Sequence, residues 1–242
     1  MKTLKEIRDQ IKDDLDLNEE TFVNDTDLNR WINDAVTLAE AEIHTLYEDY
    51  FLAEATVISI AGQALYDYPS DIYANKVRKI VFRQDAGNST SIHEVRRVRD
   101  LLDAKEEDLY NTSAQTSILR WSPINDATNG RKIRIFPKVS RNGFFDIFYI
   151  RNAKKLVLDS DICDIDEFEL FIVQHGKTEA YIKDGDPRSS ESYGLETTYK
   201  NTMVNTLSEM VPDNNNEIEM DTSHYNDSLG GGGYDEGYYN GY

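Results

Sequence analysis

The chain has one cysteine, four histidines and five prolines among 242 residues, and no apolar run of transmembrane length. Each shortage excludes something. Cys163 alone can form neither an internal disulfide nor a cysteine-based zinc site. Without roughly 20 consecutive apolar residues, no membrane-spanning helix is expected. The histidines, His44, His93, His175 and His224, lack HxH and HExxH spacing. GxSxG, Walker A and GxGxxG patterns are missing, and Gly230 to Gly233 runs through a polar segment rather than following a strand. Asp159, Asp161 and Asp164 fail the calcium-loop pattern: the fifth position is Cys163 and the central glycine is lacking. They read as a linker and a helix cap. Carboxylate pairs are expected by chance among 45 acids, and none has surroundings that mark an acid/base couple. Catalysis, metals and cofactors are therefore not expected. The opening MKTLKEIRDQIKDDL is charged throughout and has no signal-peptide core, so synthesis in the cytoplasm is expected.

What the chain does have is charge, unevenly spread. The net charge is −19. Residues 1–75 carry 5 basic and 17 acidic side chains, residues 76–155 carry 17 and 9, and residues 156–242 carry 4 and 19. A basic middle lies between acidic ends. One reading is that strands and helices use different surface residues and the split is accidental. The sharper reading is that the basic segment meets acidic surface, within the fold or on a neighbouring copy. Contact between unlike patches closes into a ring when the rotation allows.

The N-terminal third is helical by periodicity. Leu4, Ile7 and Ile11 share a face, with Thr3 and Glu6 spaced as a capping box. A second helix begins near Asp25 or Thr26. Its apolar stripe is Leu28, Trp31, Ile32, Ala35, Leu38, Ala39, Ile43, Leu46, Tyr47 and Tyr50. The period then changes. Ala55 to Ile60 and Ala64 to Tyr68 read as a hairpin about Ala61-Gly62-Gln63. Strands are expected at Lys76 to Arg83, near Ser91, and at Ser117 to Trp121, Lys132 to Pro137 and Phe144 to Ile150. A helix near Glu94 is supported by Val98, Leu101, Leu102 and Leu109. Short strands between turns suggest a small antiparallel sandwich or barrel.

Helix returns near Asp164, where Asp164 and Glu167 have capping-box spacing, and stops at Gly185-Asp186-Pro187. A last helix fits Ser189 to Val211. From Pro212 to Tyr242 there are seven acids, no lysine or arginine, six glycines and five tyrosines. This composition buries too little apolar surface to fold alone. It reads either as a solubilising tail or as a partner-binding segment with Tyr225, Tyr234, Tyr238, Tyr239 and Tyr242 as anchors, since tyrosine gives large contact area at low entropy cost. The fold class is thus α+β: a long N-terminal amphipathic helix and C-terminal helices packed with a small antiparallel β-sandwich or barrel, plus an extended acidic tail. Helices are placed at 3–14, 25–51, 164–184 and 189–211, and the β-rich part at 53–151. The aromatics Phe136, Phe144, Phe145, Phe148 and Tyr149 lie among basic residues, yet the overall charge opposes phosphate binding.

Order and spacing of several blocks carry a resemblance. LNRWINDAVTLAEAEI leads into YEDYFLAEATVISIAGQALYDYPSDIY; later come RKIRIFPK, FDIFYIRNAKKL and ICDIDEFELFIVQHGKTEAYIKDGDPR. Over most of residues 25–190 this resembles the head-to-tail connector (adaptor) proteins of tailed bacteriophages. The resemblance implies a single adaptor domain over 1–211 and a non-enzymatic virion protein of the neck. It implies a homo-oligomeric ring, a dodecamer, joining the portal protein to tail or tail-completion proteins. Duplex DNA would pass through without specific binding, past an acidic wall. Residues 212–242 would then grip the portal, and Arg78, Arg83, Arg96, Arg97, Arg131, Arg134 and Arg141 would meet ring neighbours. The alternatives are a glycan-binding or glycan-cleaving tail component, and a tail-completion ring further from the portal.

Overall fold

The computed structural model describes residues 1–17, 22–84, 92–98, 118–128 and 130–210. A strand over Ile92–Arg97 stands where the sequence places the start of a helix near Glu94; the remainder of that helix, the turn at Asp85 to Asn88 and the whole segment 212–242 lie outside the described residues.

Helix α1 spans Leu4–Leu15. Thr3 and Glu6 form the expected capping box, each side chain meeting the other's backbone N–H. Helix α2 spans Asp25–Leu46 and opens on a second box, Asn24 with Asp27. It ends short of the expected position 51, because Glu48–Phe51 tightens into a 3-10 turn that buries Phe51. The stripe on α2 is also narrower than the sequence suggests. Leu28, Trp31, Ile32, Ala35, Ala39 and Ile43 are buried, and Val36 joins them, but Leu38 is 47% exposed and Leu46 36%. Both leucines sit at the edge of the stripe, where no element covers them among the described residues.

The strands are β1 Leu52–Ser59, β2 Leu65–Asp67, β3 Ile72–Arg83, β4 Ile92–Arg97, β5 Arg120–Asp126, β6 Gly130–Phe136 and β7 Gly143–Arg151. They form one seven-stranded sheet in the order β1-β7-β3-β4-β5-β6-β2. All pairings are antiparallel except the short parallel contact of β4 with β5. This corrects two expectations. The sheet is single and mixed, not an antiparallel sandwich. And β1 and β2 are not a hairpin: β1 pairs with β7 and β2 with β6.

Those two strands stand at opposite edges of the sheet, joined only by residues 60–64. In a flat sheet, strand spacings of ~4.8 Å would put the edges ~29 Å apart. The chain from Ser59 to Leu65 reaches at most ~21 Å. The sheet must therefore curl. The connection is tied down where it crosses: Gly62 N–H donates to Val139 O at 2.9 Å, and the Tyr66 hydroxyl meets the Ile60 and Gln63 carbonyls. A bulge in β3 adds curvature. The β3–β7 register shifts there, and Ala74 and Asn75 take positive φ of 46° and 57°.

After β7 the chain crosses residues 152–165. Here Asp164 does not cap the next helix. It accepts from Arg151 Nη1 at 2.5 Å and from the Lys154 N–H, so it fastens the linker to the sheet instead. A 3-10 turn at Asp166–Phe168 precedes helix α3, Glu169–Asp184. Gly185 stops α3 in the left-handed conformation, φ 72°, with its N–H returned to the last turn. Helix α4 spans Ser189–Met210.

Two hydrophobic clusters result. The helical one gathers α1 to α4 around Ile11, Trp31, Phe51, Phe168 and Ile172; the other lies on one face of the sheet around Ile80, Trp121, Ile133 and Phe145. Strand β7 serves both, with Ile147 and Tyr149 in the sheet cluster and Ile150 in the helical one. Period-2 alternation makes this sharing possible.

Candidate interaction surfaces

Among the described residues, no group of three or more His, Cys, Asp or Glu side chains could hold a metal ion, and no helix is long and apolar enough to cross a membrane. Cys163 is buried, and that burial pushes its thiol up to about 11, away from the reactive thiolate. His175 is a packed helix residue. Its Nδ1 lies 2.8 Å from Glu196 Oε1 on α4. Burial works against its charged form, but the Glu196 hydrogen bond and charge outweigh it, and the imidazole pKa is raised. Glu196 is lowered in turn: burial opposes ionisation and His175 overcomes it. Beside this pair, the Gln174 amide donates to Ser192 Oγ at 2.7 Å, and Thr178 donates to the Gln174 carbonyl. The α3–α4 joint is thus polar where most of the helical core is not. His44 differs. It stacks on Tyr73 with ring centroids 3.6 Å apart, its Nε2 lies 3.5 Å from Glu40 Oε1, and burial lowers its pKa against the pull of that carboxylate.

The arginines expected to face neighbours divide into two sets. Arg78 on β3 is held by Glu48 at 2.6 Å and Asp49 at 2.8 Å. Arg83, at the end of β3, is clamped on Asp146 by two nitrogens, while Thr56 donates to the same carboxylate. Asp146 is held below the usual carboxylate range by Arg83 first, against its own desolvation. Both arginines are thus engaged within the fold.

In the second set Arg96 is exposed, and Arg134 is half-buried on a face that also holds the buried Ser122 and Phe136. Register puts Arg96 opposite Arg120, Arg120 opposite Phe136, and Ser122 opposite Arg134. These positions share the face of the sheet away from Val95, Trp121, Ile133 and Ile135, which are buried. Arg96, Arg120 and Arg134 therefore lie together, with Lys132 further along β6 held by Asp67. Arg96 and Arg134 have no ion pair among the described residues. On the other face, Arg97 lies over the Trp121 ring at 5.3 Å. Arg97 and Arg131 are both close enough to Tyr68 to oppose the rise in its pKa that burial causes. Arg141 is exposed in the turn between β6 and β7. Tyr225, Tyr234, Tyr238, Tyr239 and Tyr242 lie outside the described residues.

A feature the sequence did not mark lies between α2 and α3. Arg30, Trp31, Asp34, Thr37, Leu38, His175 and Glu179 line an open groove of about 460 Å³. Trp31, 4% exposed, is its floor and Leu38 its apolar rim. Asp34 and Glu179 add two carboxylates. Both are near enough to favour the charged His175 ring, and neither has an ion pair among the described residues. Periodicity counted Leu38 as core, which hid the groove; its sign was that Leu38 and Asp34 stand one turn apart on α2.

The acids of the linker are structural. Asp161 accepts from the Leu158 and Val157 N–H groups and from Lys154, which hold its carboxyl down at about 2. Asp159 meets the largely buried Arg8 at 3.1 Å.

Compared with known proteins, the chain is similar to one family: the family model described as SU10 adaptor protein matches residues 2–223. No curated protein matches it.

Proposed function

We infer the role of this chain from its family: it belongs to the SU10 adaptor proteins, phage structural adaptors rather than catalysts. The finer role we propose is that of a neck component. Copies of the chain form a ring, a dodecamer, that joins the portal vertex of the head to the tail. The ring surrounds the channel through which DNA leaves, and the chain acts on no substrate. The observation that carries this reading is the family match over nearly the whole chain. The charge distribution supports it, since a basic sheet face and an acidic helical layer suit contact between unlike surfaces.

Residues 1–211 act as one adaptor domain, and residues 212–242 bind the portal with the tyrosines as anchors. The net charge of −19 suits a channel wall that duplex DNA passes without sticking. Native mass spectrometry of the chain, alone and mixed with the portal protein of the same phage, tests this. A complex with one copy per portal subunit is expected. Removal of residues 212–242 is expected to weaken that complex while leaving the melting temperature within about a degree or two, as for a segment outside the core. A monomer in both samples overturns the reading.

A further inference from the structure

We propose that helix α4 is a releasable arm: it leaves α2 and α3 as one unit while the rest of the body stays folded, and it pivots on residues 185–188. The device belongs to the free chain and stands whether or not the neck reading does.

Helix α4 is weak by its own sequence. Eleven of its 22 residues are serine, threonine, asparagine or glycine, and none is alanine. Such residues favour caps and turns over helix interiors. Thr197, Thr198, Thr202, Thr206 and Ser208 each donate a hydroxyl to the carbonyl one turn back, a bond that slightly destabilises a helix. Gly194 lies inside the helix, yet a Cβ there would meet nothing within 4 Å. No packing demand explains that glycine. Helix α4 therefore holds its shape through what it touches.

It touches little apolar surface. Met203 and Leu207 are its buried apolar residues, with Tyr199 partly buried beside them. Helix α3 buries Phe171, Ile172, Val173 and Ala180. The N-terminal half of the α3–α4 joint is polar. Gln174 and Thr178 meet the Ser192 hydroxyl at 2.7 and 3.0 Å, and His175 meets Glu196 at 2.8 Å. Water can replace these bonds once the helix moves off. An apolar joint resists wetting, whereas this one uncovers groups that water satisfies. The ion pair of Lys200 with Glu42 is part-exposed and holds weakly.

The connection suits a pivot. Four residues join α3 to α4, among them Gly185 at φ 72° and Pro187. Its hydrogen bonds are local. The Gly185 and Asp186 N–H groups return to the Ile182 and Tyr181 carbonyls, and Asp186 accepts from the Arg188 N–H and guanidinium. These bonds survive when α4 leaves. No element follows α4 among the described residues, so its departure unthreads nothing else there. Segments with few buried apolar contacts open at a lower energy than global unfolding. With α4 off, the face of α3 that bears Gln174, His175 and Thr178 is open; with α4 on, it is shut.

Hydrogen exchange of the full-length chain, followed by mass spectrometry in rising urea below the unfolding transition, tests this. Amides of residues 196–207 are expected to exchange roughly tenfold faster or more than those of α1 and α3, with one shared urea dependence that marks opening as a unit. Exchange of α3 and α4 at one rate overturns the inference, since α4 then leaves only in global unfolding. Fast exchange of α4 without urea dependence also overturns it, because that is residue-by-residue fraying. A lock supplies the second measurement. Thr178→Cys with Ser192→Cys places two thiols where hydroxyls lie 3.0 Å apart, while Cys163 stays buried. Oxidation of the new pair is expected to close the gap between α4 and α3, and reduction to restore it. A gap that oxidation leaves unchanged overturns the inference.

Discussion

The helical layer and the curled sheet use charge in opposite ways. On the helices, charges close on one another across elements. Lys12 pairs with Asp25, Lys183 with Asp27, Lys200 with Glu42, and Lys177 with Asp14. Each tie joins two elements that also share the apolar cluster. On the sheet, Glu48 and Asp49 of the neighbouring 3-10 turn hold Arg78 and Asp146 holds Arg83, while Arg96 and Arg134 have no ion pair among the described residues. Surface ion pairs contribute little each. The difference therefore bears less on stability than on which region is free to meet another molecule.

The two regions also carry one tryptophan each, Trp31 in the helical cluster and Trp121 in the sheet cluster. That allows the comparison to be broken directly. The largest expected effect is Phe168→Ala, which empties a fully buried site in the helical cluster. A loss of ~3–5 kcal/mol is expected from burial and cavity terms. Because β7 belongs to both clusters, urea unfolding followed separately in the Trp31→Phe and Trp121→Phe backgrounds should shift by the same amount. A transition that moves only for the Trp31 signal would show the sheet folding as its own unit.

A paired substitution at two glycines is smaller and contrasts the regions further. A Cβ at Gly143, in β7, would come 2.5 Å from the Arg83 carbonyl oxygen and 2.8 Å from the Phe82 ring. Backbone cannot yield easily, so Gly143→Ala should cost ~1–3 kcal/mol, as overpacking does. A Cβ at Gly176, in α3, would come 2.5 Å from Ile11 Cδ1, the far end of a flexible side chain. There the gain in helix propensity, ~1 kcal/mol, offsets the shift. Gly176→Ala should be near neutral, and thermal unfolding of both variants checks the contrast. Equal costs would mean the α1–α3 contact is as unyielding as the sheet.

The smallest effect concerns pH. The raised His175 contributes stability that is fully present below its ordinary pKa of 6.5 and is lost as pH rises through its folded value. The lowered Glu196 contributes above its ordinary 4.5 and loses that as pH falls through its own folded value. The pair therefore helps most between those two ordinary values. His175→Gln should destabilise most near about pH 5.5, with the gap to wild type closing toward about pH 8.5. His44 has the opposite sign, because its lowered pKa makes it unfavourable as pH falls, but it is common to both proteins and cancels in the difference. A gap that widens with pH would contradict the His175–Glu196 assignment.

Much of the helical layer is legible in the chain because its signals are local. Thr3 with Glu6 and Asn24 with Asp27 lie within one turn, and the stripe on α2 repeats every three to four residues. Asp164 shows the limit of such reading. Its spacing from Glu167 fits a cap, but Arg151, brought close by the end of β7, and the Lys154 N–H take its carboxylate. The candidate surfaces were legible only in part. The arginines stood out by composition, while which of them are clamped depends on where Asp146, Glu48 and Asp49 arrive in space. The groove was missed, since one leucine on a stripe looks like the next.

The sequence alone determined the elements with strong periodic or capping signals, the basic middle between acidic ends, and the thinness of any catalytic constellation. The tertiary structure decided strand order, the curl that puts β1 and β2 on opposite edges, the exposure of Leu38, and which arginines are already engaged. The physical reason is range. Helix caps and amphipathic stripes are set within a few residues, so the sequence carries them whole. A period of two states which face a side chain occupies but not which strand lies beside it, and a charge is satisfied or left available only when distant segments have met.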